Sequence, residues 1–386
     1  MERLLMIAPA PVLRTGTGYT LDKKFITGMA LHCRLWQGKM DCLLREGAQN
    51  IPFGAQAYTP DMPFGLKVLG QHEAITHAHL DGYDVIYCGI DSADNLPIID
   101  IALPRRPRIV ATIEYTLRTR LQAAWLDNRQ SMTKRLRTML WLLRQEPQRR
   151  RFIRQADGLQ TNGYPAYESY RRLNAHTLLY LDNRMTSDLF ATQAERDARA
   201  SRVAAGAPLR LVYSGRLEPM KGAQDLIPIA RALAARGAAF HLDIFGNGHL
   251  AAQIASDIAR HNLADHVTLH DPVDFETGLV PYLRENCDIY LCCHRQSDPS
   301  CSYIENMGCG LAVVGYGNQM WAALQQASDA GWTAPLGNRD KIVDIIHQLD
   351  TDRAGVIARC DNALAFAKSH DFQSEFQKRM DHLAKR

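Results

Sequence analysis

No run of the chain approaches eighteen consecutive apolar residues, so no membrane-spanning helix is expected. The apolar start, Leu4-Leu5-Met6-Ile7-Ala8, is too short for a signal peptide and reads as a first strand. Regular cysteine spacing is missing. The nine cysteines include the adjacent pair Cys292-Cys293, and Cys287, Cys301 and Cys309 fall in apolar or glycine-rich settings. That pattern favours reduced thiols over a disulfide or zinc framework, and with it a cytoplasmic protein. Charge of one sign is missing too: 45 Lys and Arg face 41 Asp and Glu, and a net +4 does not argue for nucleic acid. The dinucleotide fingerprint is absent, because Gly16-Thr17-Gly18 is followed by Tyr19, Thr20 and Leu21.

What is present is the composition of a globular protein, 46% hydrophobic and 22% charged, in a chain of 386 residues. That length exceeds what one core usually supports, so two domains are expected. Short β-branched runs alternate with helical patterns throughout. In the first half, strands are expected at 4–9, 85–88, 108–113, 158–161 and 177–181, with a helix from Leu21 to Cys33. In the second half, strands are expected at 211–214, 240–245, 267–270, 288–293 and 311–316. Helices are expected at 225–236, 249–262 and 303–309, with Asp225 capping the first and Gly237 ending it. The alternation predicts two parallel sheets with helices on both faces, hence two Rossmann-like domains facing a cleft. The polar segment 191–208 lacks apolar periodicity and reads as the linker. The boundaries read as 1–195, 205–365 and a C-terminal helix at 366–386.

The segment Gly215-Arg216-Leu217-Glu218-Pro219-Met220-Lys221-Gly222 carries the chemistry. It follows an apolar strand and sets two cations five residues apart. Ligands of open α/β sheets sit outside the carboxyl ends of the strands. Fixed cations there suit an anion, and Arg can grip phosphate bidentately while Lys acts as a point charge.

Three further marks follow in order. They are Phe245-Gly246-Asn247-Gly248, then Ile304-Glu305-Asn306-Met307-Gly308-Cys309-Gly310-Leu311, then Ala330-Gly331-Trp332-Thr333-Ala334-Pro335. With 215–222 they resemble the donor domain of retaining nucleotide-sugar glycosyltransferases of family 4, which have the GT-B fold. Residues 330–335 resemble the family's glycine-to-proline loop, and 371–376 resemble its closing helix, which commonly crosses back onto the first domain. The first half resembles the family only in its alternation and its N-terminal glycine loop.

The resemblance implies transfer of a sugar from a nucleoside-diphosphate sugar to a hydroxyl, with no metal and no other cofactor. It implies that Arg216 and Lys221 hold the donor diphosphate, that Glu305 holds the ribose hydroxyls, and that Gly246, Asn247 and Gly248 line the nucleotide-base region. The family's E-x7-E motif places a first acid eight residues before Glu305, and here that position is Ser297. Either Asp298 serves the donor sugar from one residue further on, or Ser297, His294 or Arg295 has taken the role. The backbone N–H groups of Ser302 and Tyr303, at a helix start, also suit a phosphate. Gly16, Thr17 and Gly18 form a loop whose amides can approach the same diphosphate. Glu114, at the end of the strand 108–113, is a candidate to orient the acceptor hydroxyl or accept its proton, with Asp91 a second residue of that kind.

The segment 134–154 holds Lys134, Arg135, Arg137, Arg144, Arg149, Arg150, Arg151 and Arg154 among Met139, Leu140, Trp141, Leu142, Leu143, Phe152 and Ile153. A basic, apolar helix reads as interfacial, which suits peripheral contact with a membrane and a lipid-linked acceptor. The other reading is an ordinary helix packed on the first domain. The expected function is thus a glycosyltransferase acting on a glycan or lipid-linked glycan, in cell-surface polysaccharide or glycolipid synthesis. A nucleotide-sugar epimerase of the same architecture and a catalytically inactive scaffold are the alternatives.

Overall fold

The computed structural model describes residues 2–385 apart from Thr17, 48–50, Pro52, Phe53 and Asn128. The chain forms two compact units. The first is Met1–Leu117, Leu140–Tyr180 and Glu375–Arg386; the second is Arg118–Met139 and Leu181–Ser374.

The first unit carries strands β1 (Arg3–Ile7), β2 (Val12–Thr15), β3 (Gly18–Asp22), β4 (Lys39–Arg45), β5 (Ala55–Ala57), β6 (Gly65–Leu69), β7 (Val85–Gly89), β8 (Arg108–Ile113), β9 (Gly158–Asn162) and β10 (Thr177–Tyr180). Seven of them form a parallel sheet in the order β10-β9-β8-β7-β1-β4-β6. Burial on both faces explains why β1 is apolar after Arg3. Leu5 and Ile7 join the core on one face, while Leu4 and Met6 join the core on the other. Met380 and Leu383, from the helix Phe372–Ala384, complete the second of these cores.

The second unit carries β11 (Leu209–Ser214), β12 (Phe240–Phe245), β13 (Val267–His270), β14 (Ile289–Cys292), β15 (Ala312–Tyr316) and β16 (Gly331–Ala334). They form a parallel sheet in the order β13-β12-β11-β14-β15-β16. The order reverses between β11 and β14, and an open α/β sheet binds ligands outside the strand ends at such a point. The first sheet has the same reversal between β1 and β7.

Several expectations are corrected. The stretch after β1 is not an open glycine loop but a β-hairpin, β2 with β3, to which β5 adds a third strand. Gly16 has φ +58°, so the tight turn alone accounts for a glycine there. The segment 191–208 is not a linker. It forms the helix Gln193–Ala204, started by a capping box between Thr192 and Glu195. Arg199 on that helix is buried, and its guanidinium donates to the carbonyls of Cys287 (2.8 Å), Gly310 (2.9 Å), Arg284 (2.8 Å) and Cys309 (3.0 Å). A buried charge satisfied by backbone carbonyls is invisible to a search for apolar periodicity.

Residues 331–334 form the edge strand β16, not a loop, and a Cβ at Gly331 would collide with the Val313 carbonyl. Asp225 does not cap the helix Leu226–Ala235. Its carboxylate accepts from Arg295 (2.7 and 3.0 Å) and from the Tyr316 hydroxyl (3.1 Å) instead. Gly237, at φ +68°, follows that helix as expected. The units also differ from the expected boundaries, since Arg118–Met139 and 181–195 group with the second.

Candidate functional site

The loop from β11 into the following helix is built on glycines. Gly215 and Gly246 end β11 and β12 at φ +155° and +143°, and their backbones touch. A Cβ at Gly246 would overlap the Gly215 carbonyl, so the end of β12 does not tolerate a side chain there without separating from β11. The ladder continues past the strands through Gly215 N–H to Phe245 C=O (3.0 Å) and Leu217 N–H to Asn247 C=O (2.9 Å). Gly222, at φ +70°, passes so close to Cys293 that a Cβ would overlap its carbonyl oxygen. These approaches fix the backbone that carries Arg216 and Lys221.

The two cations differ. Arg216 is solvent-exposed at the carboxyl end of β11. Lys221 is buried, and its ammonium donates to the Asp298 carboxylate in a buried ion pair. Burial pushes the Asp298 carboxyl upward, but the Lys221 ammonium outweighs that and holds it below its usual value. His294, between β14 and Asp298 in sequence, is fully buried. Its pKa falls to about 3 because burial and the nearby Lys221 both oppose a second positive charge. Its Nδ1 has no hydrogen-bond partner among the described residues. The four residues meet at the switch point of the second sheet.

Ser297, Arg295 and Asp298 have different partners. The Ser297 hydroxyl accepts the backbone N–H of Gln319 (3.0 Å), and its carbonyl accepts the Thr119 hydroxyl (3.4 Å). Arg295 is paired with Asp225. Asp298 is the carboxylate that reaches the Lys221 ammonium. Glu305, in the first turn of the helix Ser302–Gly308, is forked by Arg184: Nε donates to Oε1 (2.7 Å) and Nη2 to Oε2 (3.0 Å). The Tyr303 N–H donates to the Ser300 carbonyl (3.2 Å), and the Ser302 hydroxyl is shared with Ser300 (2.8 Å) and Tyr290 (3.0 Å).

In the first unit, Gly16 and Gly18 stand at the hairpin tip, and Thr17 lies outside the described residues. Glu114 follows β8. The Asp91 carboxylate accepts the N–H groups of Glu114 (2.8 Å) and Tyr115 (3.0 Å). Asp91 therefore shapes the turn that presents Glu114, a role its position after β7 did not disclose. A cavity of about 390 Å³ opens at the carboxyl ends of β1, β4 and β7, lined by Ile7, Leu43, Arg45, Glu46, Ser92 and Asn95 among others.

The helix Met132–Gln155 divides along its length. Leu142, Arg149, Phe152 and Ile153 are buried, and Arg149 donates to the Ile90 carbonyl (2.9 Å). Met132, Leu136, Leu140, Trp141 and Leu143 are instead 47–56% exposed, as is Trp125 at 51%. The packed-helix reading thus holds for the second half of the helix and fails for the first. Among the described residues no group of three His, Cys, Asp or Glu is arranged to hold a metal. An Asp-x-Asp triplet, which a metal-independent reading does not expect, does occur at Asp350-Thr351-Asp352. It joins two helices: Asp350 pairs with Arg353, and Asp352 caps the helix Arg353–Lys368.

Comparison with known proteins agrees with this architecture. Residues 208–352 match the model of "Glycosyl transferases group 1". The amylovoran biosynthesis glycosyltransferase AmsK of Erwinia amylovora is 30% identical over 158 residues, which cover 39% of this chain and 38% of that protein. The match therefore spans well under half of that relative. Among solved structures, Anabaena Alr3699/HepE in complex with UDP superposes over 99% of this chain and 98% of its own, with TM-score 0.64 and 14% identity. Sucrose-phosphate synthase from Thermosynechococcus elongatus gives TM-score 0.66 at 16% identity, over 99% of this chain and 98% of its own. WaaG, a glycosyltransferase involved in lipopolysaccharide biosynthesis, gives 0.59 at 12% over 99% of this chain and 100% of its own. The fold is that of GT-B glycosyltransferases.

Proposed function

We propose that the protein is a retaining glycosyltransferase of family 4. It moves a hexose from a nucleoside-diphosphate sugar to a hydroxyl of a glycan or lipid-linked glycan, in cell-surface polysaccharide or glycolipid synthesis. The observation that carries this reading is the pairing of exposed Arg216 with buried Lys221 at the switch point of a parallel sheet. As the bond from the anomeric carbon to the donor phosphate lengthens, negative charge grows on the leaving diphosphate. Preorganised cations stabilise that charge more than the ground state. Lys221 is held in place by Asp298 and keeps two ammonium protons for the phosphate. Arg216 is free to close on it.

Retention follows if the acceptor oxygen attacks the face that the diphosphate leaves, passing its proton to the departing phosphate oxygen. No metal is needed for that step. Gly246, Asn247 and Gly248 border the base, and Glu305 takes the ribose. On the acceptor side, Glu114, held by Asp91, orients the attacking hydroxyl, and the cavity beside β1 and β7 receives the glycan. The exposed apolar residues of 132–143, set among Lys134, Arg137 and Arg144, support peripheral contact with an anionic membrane face that presents the lipid-linked acceptor.

The test is a screen of nucleotide sugars by mass spectrometry in EDTA. The expected result is release of one nucleoside diphosphate, abolished by Arg216→Ala and by Lys221→Ala. Full turnover in both variants, or an epimerised nucleotide sugar as product, overturns the assignment.

A further inference from the structure

Glu305 is not free in this structure. The Arg184 guanidinium engages both of its carboxylate oxygens, and it lies 3.7 Å from the centre of the Phe275 ring, which stacks on it. Only 7% of the Glu305 side chain remains exposed. Burial alone disfavours the Arg184 charge, but Glu305 outweighs it and the guanidinium pKa is raised, as a true ion pair requires. A vicinal diol recognised by a carboxylate needs acceptor positions on both oxygens, open to the ligand. The fork occupies that approach.

We infer that Arg184 competes with the donor ribose for Glu305 and so sets the affinity for ribonucleotides. The donor seats fully only when the guanidinium leaves the carboxylate, and Phe275 holds it on. This rests on the reading that Glu305 binds the ribose. It adds a specificity-determining residue 121 positions away in sequence, on a segment with no motif of its own.

Calorimetric titration of the full-length protein with UDP, CDP, GDP and ADP, and with the 2′,3′-dideoxy form of whichever binds, tests the inference. Arg184→Ala is expected to bind the ribonucleotide at least fivefold tighter, with the dideoxy form unchanged. Phe275→Leu leaves both charges in place and is expected to tighten ribonucleotide binding by a smaller factor. It decides the matter if Arg184→Ala fails to fold by circular dichroism. Binding to Arg184→Ala but not to wild type also supports the inference. Equal or weaker ribonucleotide binding in the folded variants overturns it, as does equal tightening of the dideoxy form. If none of the four nucleotides binds wild type or either variant, the donor reading itself falls.

Discussion

Lys221 and Asp298 form a buried ion pair across 77 residues of sequence, with each side chain only 7% exposed. The pair joins the loop after β11 to the loop after β14, the two strands between which the sheet reverses. Breaking such a pair from one side leaves an uncompensated buried charge, at a cost of about 3–5 kcal/mol. Lys221→Met and Asp298→Asn are each expected to destabilise by that order in urea unfolding. The double variant should lose much less than the sum. Additive losses would show that the two charges do not compensate one another.

His294 makes stability depend on pH. An unfolded histidine takes up its proton near pH 6.5, whereas the folded one does so only near 3. Between those values the unfolded state binds more protons, so stability falls as pH falls. The contribution of this residue is at most about 1.4 kcal/mol per pH unit. His294→Asn is expected to flatten unfolding free energy against pH between 6.5 and 4.5. Asp298 adds its own loss only further down, because its lowered pKa keeps it ionised through that window. An unchanged slope in the variant contradicts the buried neutral histidine.

Arg199 ties the helix Gln193–Ala204 to five backbone carbonyls elsewhere in the second unit, those of Leu283, Arg284, Cys287, Cys309 and Gly310. Truncating it leaves those acceptors buried without donors, each worth roughly 1–3 kcal/mol. Arg199→Ala should therefore lower the unfolding midpoint sharply, and Arg199→Lys should recover only part, since an ammonium cannot reproduce the fork. A variant as stable as wild type would mean that water replaces the guanidinium.

Vesicle binding tests the exposed stripe of the helix Met132–Gln155. Met132, Leu136, Leu140 and Leu143 recur at spacings of three and four, the period of one helix face. Flotation with phosphatidylglycerol vesicles should capture the protein at low salt, and phosphatidylcholine vesicles should not. Leu140→Ser with Trp141→Ser should release it without loss of fold. Equal recovery with both lipids, or with none, would leave the stripe without its membrane role.

Much of this was legible in the sequence. The strands 108–113 and 240–245 are where their apolar runs put them, because interior parallel strands are covered on both faces and so are rich in apolar residues; the edge strand 267–270 is also where it was expected. The loop 215–222 announced itself through glycines and two cations. What stayed hidden were pairings across long separations. Arg184 with Glu305, Lys221 with Asp298 and Arg199 with its carbonyls obey no local period. The segment 191–208 misled because a helix anchored by a buried arginine looks, residue by residue, like a solvated one. Asp91 was visible as an acid after a strand, but its use as a clamp on two amides depends on how β7 and β8 lie side by side.

The close approach of Gly222 to Cys293 bears on how this chain could be re-engineered. Because the loops after β11 and β14 meet backbone to backbone there, changing the length of either would shift Lys221. A library built around Lys221 is better confined to side chains at 294–297, at constant loop length, than built from inserted or deleted residues. The contact that holds the cation in place also sets which mutational routes around it stay open.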